Sequence, residues 1–366
     1  MFDLIAILRE LVIDHSFYET NTLPKIKIEK ITSINEATNK DLAFCSLDGE
    51  EAVATVSDSN ARAILCNKIL EGQLSPPKKD QYIIFVDNSR LTIIRIMNKL
   101  YGMESSIKHL GTAPTAQISK SARMGMNCSI GNFTKIGDKC IIGDNTIVGD
   151  RVIIEQNTRV GKNCIIQPGT VIGADGFAYE RLEDSLELQR FPHIGGVVLG
   201  NDVEICSNCS IARGSLSDTI IGDGTKLDAL IHVAHNVEIG KNCALTAGTV
   251  IGGSTKIGDT CWTGLNSTIK HKVKIGNKVI IGSGASVIND IPDEDIVAGV
   301  PAKSIKHKVK SKQLFLMAGH TDKNIPSNTK HNGDNSNNNR YSYDIDGLHE
   351  KHQFLYRQIV KVSDVR

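Results

Sequence analysis

ISKSARMGMNCSIGNFTKIGDKCIIGDNTIVGDRVIIEQNTRVGKNCIIQPGTVI, residues 118–172, repeats every six residues. Stepping by six from Ile118 gives Met124, Ile130, Ile136, Ile142, Val148, Ile154, Val160, Ile166 and Ile172, each aliphatic or Met. The following residue is Gly at seven of these ten positions. Four residues on stand Ala122, Cys128, Thr134, Cys140, Thr146, Val152, Thr158, Cys164 and Thr170, all small or β-branched. Six residues are too few for a helix–turn–helix repeat but fit one flat face of a three-sided β-coil. In that reading the aliphatic residue points inward, the small residue packs near the corner, and Gly permits the bend. Three hexads make one coil of 18 residues, and coils stack like strands, about 4.8 Å apart.

The phase breaks across 174–196, resumes at Leu199, Ile205 and Ile211, and slips by four residues in SLSDTI (215–220). It then runs from Ile221 to Val287 with one polar exception, Thr263. Residues 1–105 carry no hexads. They mix helical segments at 3–12 and 90–101 with the apolar run YIIFV at 82–86, which reads as a small α/β domain. The predicted organisation is mainly β: an N-terminal α/β domain (1–105), a parallel β-helix of hexapeptide repeats (106–291), and a short C-terminal extension (292–366). In that extension the Asn-rich stretch 321–345 reads as disordered and 346–362 as an amphipathic helix.

A formal net charge of +1 gives no electrostatic case for a nucleic-acid partner. The start, MFDLIAILRELVIDH, has acidic residues within its apolar run and does not read as a signal peptide. No apolar stretch approaches the roughly 18 residues a membrane span needs. The nine cysteines, odd in number, fall largely where the repeat wants a small apolar residue, as in a reduced, cytoplasmic protein. The pair Cys206/Cys209 has no second pair to complete a zinc site, so no metal site is read.

Four segments resemble the UDP-3-O-acylglucosamine N-acyltransferases of lipid A synthesis. ITSINEATNKDLAFCS (31–46) and DNSRLTIIRI (87–96) look like that family's nucleotide-binding domain, GADGFAY (173–179) like its mid-barrel loop, and LDALIHVAHNVEIG (227–240) like its catalytic coil. The resemblance implies a left-handed coil, although the general crossover rule favours the right hand. It also implies a homotrimer that acylates the amino group of a nucleotide-linked amino sugar. The donor is a thioester on acyl carrier protein or coenzyme A, a co-substrate; no cofactor is expected. Leu47 and Glu50 stand where the family carries an Asn and a Tyr against uracil, Ala212 replaces an Asp, and Lys272 aligns with a second His. The ending IVAGVPAKSIK (296–306) resembles acetyl-CoA-dependent transferases. Two further readings therefore stay open: an acyl-CoA-dependent N-acetyltransferase of an amino-deoxysugar nucleotide, and a non-catalytic scaffold.

Acyl transfer to an amine needs a base and oxyanion donors at one point. His235, Gly253 and His271 each lie two residues past an inward aliphatic residue, at spacings of 18 and 18. They are expected in one column on successive coils. His235 is the expected base, Gly253 supplies a backbone N–H, and His271 assists at the carbonyl. Asp228, matching a family acid, is expected to orient His235 and fix its tautomer. His232, three before His235, is expected on the other side of the strand. Phe44 is expected to stack on the base of the nucleotide. Asp175, Phe177 and Tyr179 are expected near the sugar and acyl chain.

Overall fold

The computed structural model describes residues 1–18, 24–102 and 111–308; the segments read as disordered and helical within 321–362 lie outside these.

The repeat folds as a three-faced β-helix. Its walls are sheets of nine, eight and ten strands, parallel except for the last strand of the ten and mostly two residues long. Register follows the 18-residue arithmetic: Ile136 pairs with Ile154, Ile142 with Val160 and Val148 with Ile166. The aliphatic residue of each hexad is directed inward. From Ile130 to Val297 these side chains, with the corner cysteines, form one continuous buried core. Cys140, Cys164, Cys209, Cys243 and Cys261 are buried within it. Thr residues share the same inner corners because their hydroxyls find carbonyls there: Thr134 Oγ1 donates to Gly149 O at 2.6 Å and Thr146 Oγ1 to Gly161 O at 2.9 Å.

The glycine after each aliphatic residue serves a different purpose from the one expected. The left-handed residue of the corner comes two positions later and is seldom Gly: Asn127 (φ 55°), Lys139 (φ 56°), Asn145 (φ 57°) and Asn163 (φ 56°). Asn is among the residues that adopt this conformation most readily. Gly143 is required by closeness between coils, since a Cβ there would lie 2.5 Å from the Gly161 carbonyl carbon and 2.7 Å from Lys162 N.

Both interruptions are absorbed without breaking the sheets. Across the 174–196 insertion the pairing continues, Ile172 with Ile211 and Val160 with Leu199. The insertion projects as a hairpin, Tyr179–Arg181 against Leu188–Arg190. The four-residue slip becomes the loop before Thr219, and Leu199 pairs with Ile221. Beyond the last hexad, Ile296–Ala298 adds one more parallel strand, and Lys303–Ser304 folds back on it antiparallel.

Residues 1–102 form a separate four-stranded sheet in the order His15–Phe17, Tyr82–Val86, Ala63–Asn67, Leu42–Cys45. The last three are mutually parallel and the first is antiparallel. Helices Leu4–Glu10, Gly49–Asp58 and Ser89–Tyr101 accompany it. Asp3 caps the first helix through the N–H groups of Ile5 and Ala6, and Asn88 caps the third through Leu91 N–H.

Candidate active site

The column two residues past the inward aliphatic positions is the organising feature. The ladder Ile211–Val233–Ile251–Ile269 places Arg213, His235, Gly253 and His271 at one corner of successive coils, while a register shift after Ile172 sets Ala174 opposite Ala212. His235, Gly253 and His271 line a cavity of about 720 Å³, together with Asp175 and Phe177 from the insertion. The same cavity takes His232. Strand parity does not separate His232 from His235, because His235 lies past the end of the His232–Val233 strand, where the chain has already turned the corner. The low-dielectric surroundings of His232 push its pKa below the usual imidazole value. Lys270 and Lys272 bring positive charge to the cavity.

His235 is held at both ends of its ring. Nδ1 lies 3.0 Å from Asn236 Oδ1. An amide oxygen only accepts, so Nδ1 carries the hydrogen and Nε2 presents a lone pair. That lone pair faces Gly253: a Cβ at Gly253 would fall 2.8 Å from Nε2 and 2.9 Å from Cε1. The Gly253 N–H donates to no group among the described residues, whereas its carbonyl accepts from Lys272 N–H at 2.9 Å. The reason is local. At the next corner the equivalent N–H is capped in several coils by an Asp or Asn of the neighbouring coil, as in Lys241 N–H to Asp259 Oδ1 at 2.7 Å and Asp259 N–H to Asn277 Oδ1 at 2.8 Å. The residues flanking Gly253 in its column are His235 and His271, so no carboxylate or amide stands there to cap it.

Asn236 is itself tightly placed. It adopts φ 61°, its Oδ1 accepts from Ser215 N–H (3.1 Å) and Ser215 Oγ (2.8 Å), and its Nδ2 donates to Ser217 O and Oγ.

Asp228 is not brought to His235. It follows a strand of the ten-stranded face, while His235 follows one of the nine-stranded face, so the two occupy different corners. The Asp228 carboxylate accepts instead from Ala229 N–H at 2.8 Å and Ala247 N–H at 3.1 Å. Within the chain the orienting contact belongs to Asn236. Tyr179 packs against Phe177, ring centroids 5.0 Å apart and planes tilted by 58°, but does not line the cavity. Asp175 pairs with Arg190 across the hairpin at 3.2 Å. Phe44 lies in the N-terminal domain, half-buried against the core built from Leu4, Leu8, Leu42 and Ile84. It is not part of that domain's own cavity of about 400 Å³, which lies between Thr38, Asn60, Arg62 and Lys78.

Four residues around His235 escaped the sequence reading. Arg213, 5% exposed, obeys the same two-past arithmetic from Ile211 and was within reach of it. Asn236 adjoins His235 and carries the αL corner signature of the repeat. His193 and Gly176 belong to the aperiodic insertion, where no period points to them.

The family model described as "Bacterial transferase hexapeptide (six repeats)" matches residues 121–156, 139–174, 218–253 and 254–289. A Campylobacter lari protein named UDP-3-O-acylglucosamine N-acyltransferase is 38% identical over 302 residues, which is 80% of this chain and 92% of that protein. The chain belongs to the UDP-3-O-acylglucosamine N-acyltransferase family. A Bordetella parapertussis protein of the same name is 44% identical over 131 residues, and that alignment spans only 36% of its length. The solved UDP-N-acetylglucosamine acyltransferase of Francisella novicida is similar in fold, with a TM-score of 0.50 and 24% identity over 56% of this chain and 72% of that one. The chain is thus a left-handed parallel β-helix of an N-acyltransferase family. Among its described residues no helix is long and apolar enough to cross a membrane.

Proposed function

We propose that this chain transfers an acyl group, a 3-hydroxyacyl group, from a thioester carrier to the amino group of a nucleotide-linked amino sugar, as a UDP-3-O-acylglucosamine N-acyltransferase. The observation that carries the proposal is the approach of the His235 Nε2 lone pair to Gly253, whose N–H has no partner among the described residues. The amine nitrogen attacks the thioester carbonyl and its proton passes to His235 Nε2. Charge developing on the carbonyl oxygen is met by the Gly253 N–H. Collapse expels the thiolate, which takes the proton back from the imidazolium, leaving amide and free thiol. Asn236 holds the productive tautomer, the orienting role first assigned to Asp228. His271 assists at the carbonyl, and Lys270 and Lys272 attract the phosphates that the acceptor nucleotide and the donor both carry. Asp175, Phe177 and Tyr179 are assigned to the sugar and acyl chain, and Phe44 to the nucleotide base. The reaction as written requires no metal or cofactor.

A second reading, N-acetylation of an amino-deoxysugar nucleotide from acetyl-CoA, is favoured by Leu47, Glu50 and the IVAGVPAK ending. Thiol release measured with acyl carrier protein and coenzyme A donors against a panel of amino-sugar nucleotides separates the two. Turnover with 3-hydroxyacyl carrier protein and UDP-3-O-acylglucosamine supports the first; turnover confined to acetyl-CoA supports the second. No thiol release with any pair leaves the scaffold reading standing. We further propose a cytoplasmic homotrimer, flat faces packing around a threefold axis; a stable monomer in sedimentation at micromolar concentration would contradict the trimer.

A further inference from the structure

We infer that His193, with Gly176, is a positioning residue: the insertion 174–196 folds back over His235 and fixes the plane of its imidazole. This rests on His235 being the base. His193 lies near the end of the insertion and is 7% exposed. Its Nδ1 is 3.0 Å from Phe191 O, and since a carbonyl only accepts, Nδ1 carries the hydrogen. Its Nε2 is buried with no hydrogen-bond partner. Buried polar atoms are nearly always satisfied, and an exception calls for a reason. The ring stands edge-on to His235, centroids 5.6 Å apart and planes at 75°, within the range favoured by aromatic pairs. Gly176, from the other arm of the insertion, closes the gap between them. A Cβ there would fall 2.9 Å from His235 Cβ, 3.0 Å from His235 Cδ2 and 3.0 Å from His193 Nε2. Gly176 is not in the left-handed region, so its backbone does not demand glycine; only the two rings do.

His235 is therefore confined on every side that matters. Asn236 holds Nδ1, Gly253 lies before Nε2, and the edge at Cδ2 is packed by Gly176 beside His193. Two of these groups, Asn236 and Gly253, come from the hexad coils. Gly176 and His193 come from the one long interruption of the repeat, which gives that insertion a task in catalysis beyond covering the cavity. A base displaced by about an ångström loses much of its effectiveness, because proton transfer depends steeply on distance and direction.

The test uses the full chain with His193→Ala, His193→Phe, Gly176→Ala and His235→Ala, each checked for an unchanged melting temperature. His193→Ala is expected to lower kcat at least tenfold with KM within about threefold. His193→Phe keeps a ring of similar width at the site and is expected to restore kcat to within about threefold of the parent. Gly176→Ala, which adds a methyl group against both rings and strains no backbone, is expected to act like His193→Ala. In protein carrying 13Cε1-histidine, the His235 NMR signal, assigned by its loss in His235→Ala, should shift or broaden in His193→Ala and Gly176→Ala. An unmoved His235 signal together with normal kcat in both variants overturns the inference. So does His193→Phe being as impaired as His193→Ala, which would place the effect in Nε2 rather than in ring packing. If His235→Ala itself retains turnover, the reading of the base has failed, a separate result from these.

Discussion

Replacing Asn236 with Gly removes the contact that sets the His235 tautomer, together with the side chain's bonds to Ser215 and Ser217. Gly suits the corner, where Asn236 has φ 61°, so the substitution removes the side chain without straining the backbone. It deletes the acceptor 3.0 Å from His235 Nδ1. A neutral intramolecular hydrogen bond contributes about 0.5–1.5 kcal/mol net, and each 1.36 kcal/mol in the barrier is tenfold in rate. If this bond alone selects the ring orientation and tautomer with Nε2 free, kcat should fall roughly 2- to 13-fold. KM should change little, since Asn236 does not line the cavity. Asn236→Asp keeps an acceptor facing Nδ1 and should retain more activity than the Gly variant, although it gives up the Nδ2 donor to Ser217. The assay is steady-state amide formation with donor and acceptor varied independently, alongside Asp228→Ala. The reasoning is refuted if Asn236→Gly matches the parent kcat, or if Asp228→Ala is the more damaging of the two. Either result would show that a carboxylate, not this amide, orients the base.

Gly143→Ala should destabilise the β-helix by about 1–3 kcal/mol, read from chemical denaturation, because its Cβ would meet main chain of the next coil at 2.5–2.7 Å and main chain cannot yield like a side chain. Burial raises the Cys209 thiol to about 11, so alkylation of native protein should leave Cys209 unmodified at pH 8 and accelerate as pH rises toward 11; ready labelling at pH 8, seen by peptide mass spectrometry, would contradict this. His271→Ala should lower kcat if His271 meets the carbonyl in the cavity it lines, and unchanged kinetics would make it a solvated strand residue.

Much of this architecture is legible in the sequence because a repeat of six with an inward aliphatic residue admits few folds. The same arithmetic brought His235, Gly253 and His271 into one column, and carried one step further it reaches Arg213. The arithmetic says nothing of Asp228, whose role came from the family resemblance; within one chain a separation of seven residues in LDALIHVAH crosses from one corner to the next, and proximity in sequence is not proximity around a prism. It misjudged the glycines, since the period marks where they fall but not whether torsion or contact with the next coil requires them. The parity argument that set His232 apart fails for the same reason, as alternation ends where a two-residue strand ends. The insertion 174–196 has no period, so Gly176 and His193 became visible only through their close approach to the His235 ring.

The most direct measurement is the turnover of His235→Ala in the full chain, with 3-hydroxyacyl carrier protein as donor and UDP-3-O-acylglucosamine as acceptor. Loss of a positioned general base costs roughly 10²- to 10⁴-fold in kcat, and a fall in that range with a small change in KM is the predicted result. Turnover close to that of the parent would contradict the account.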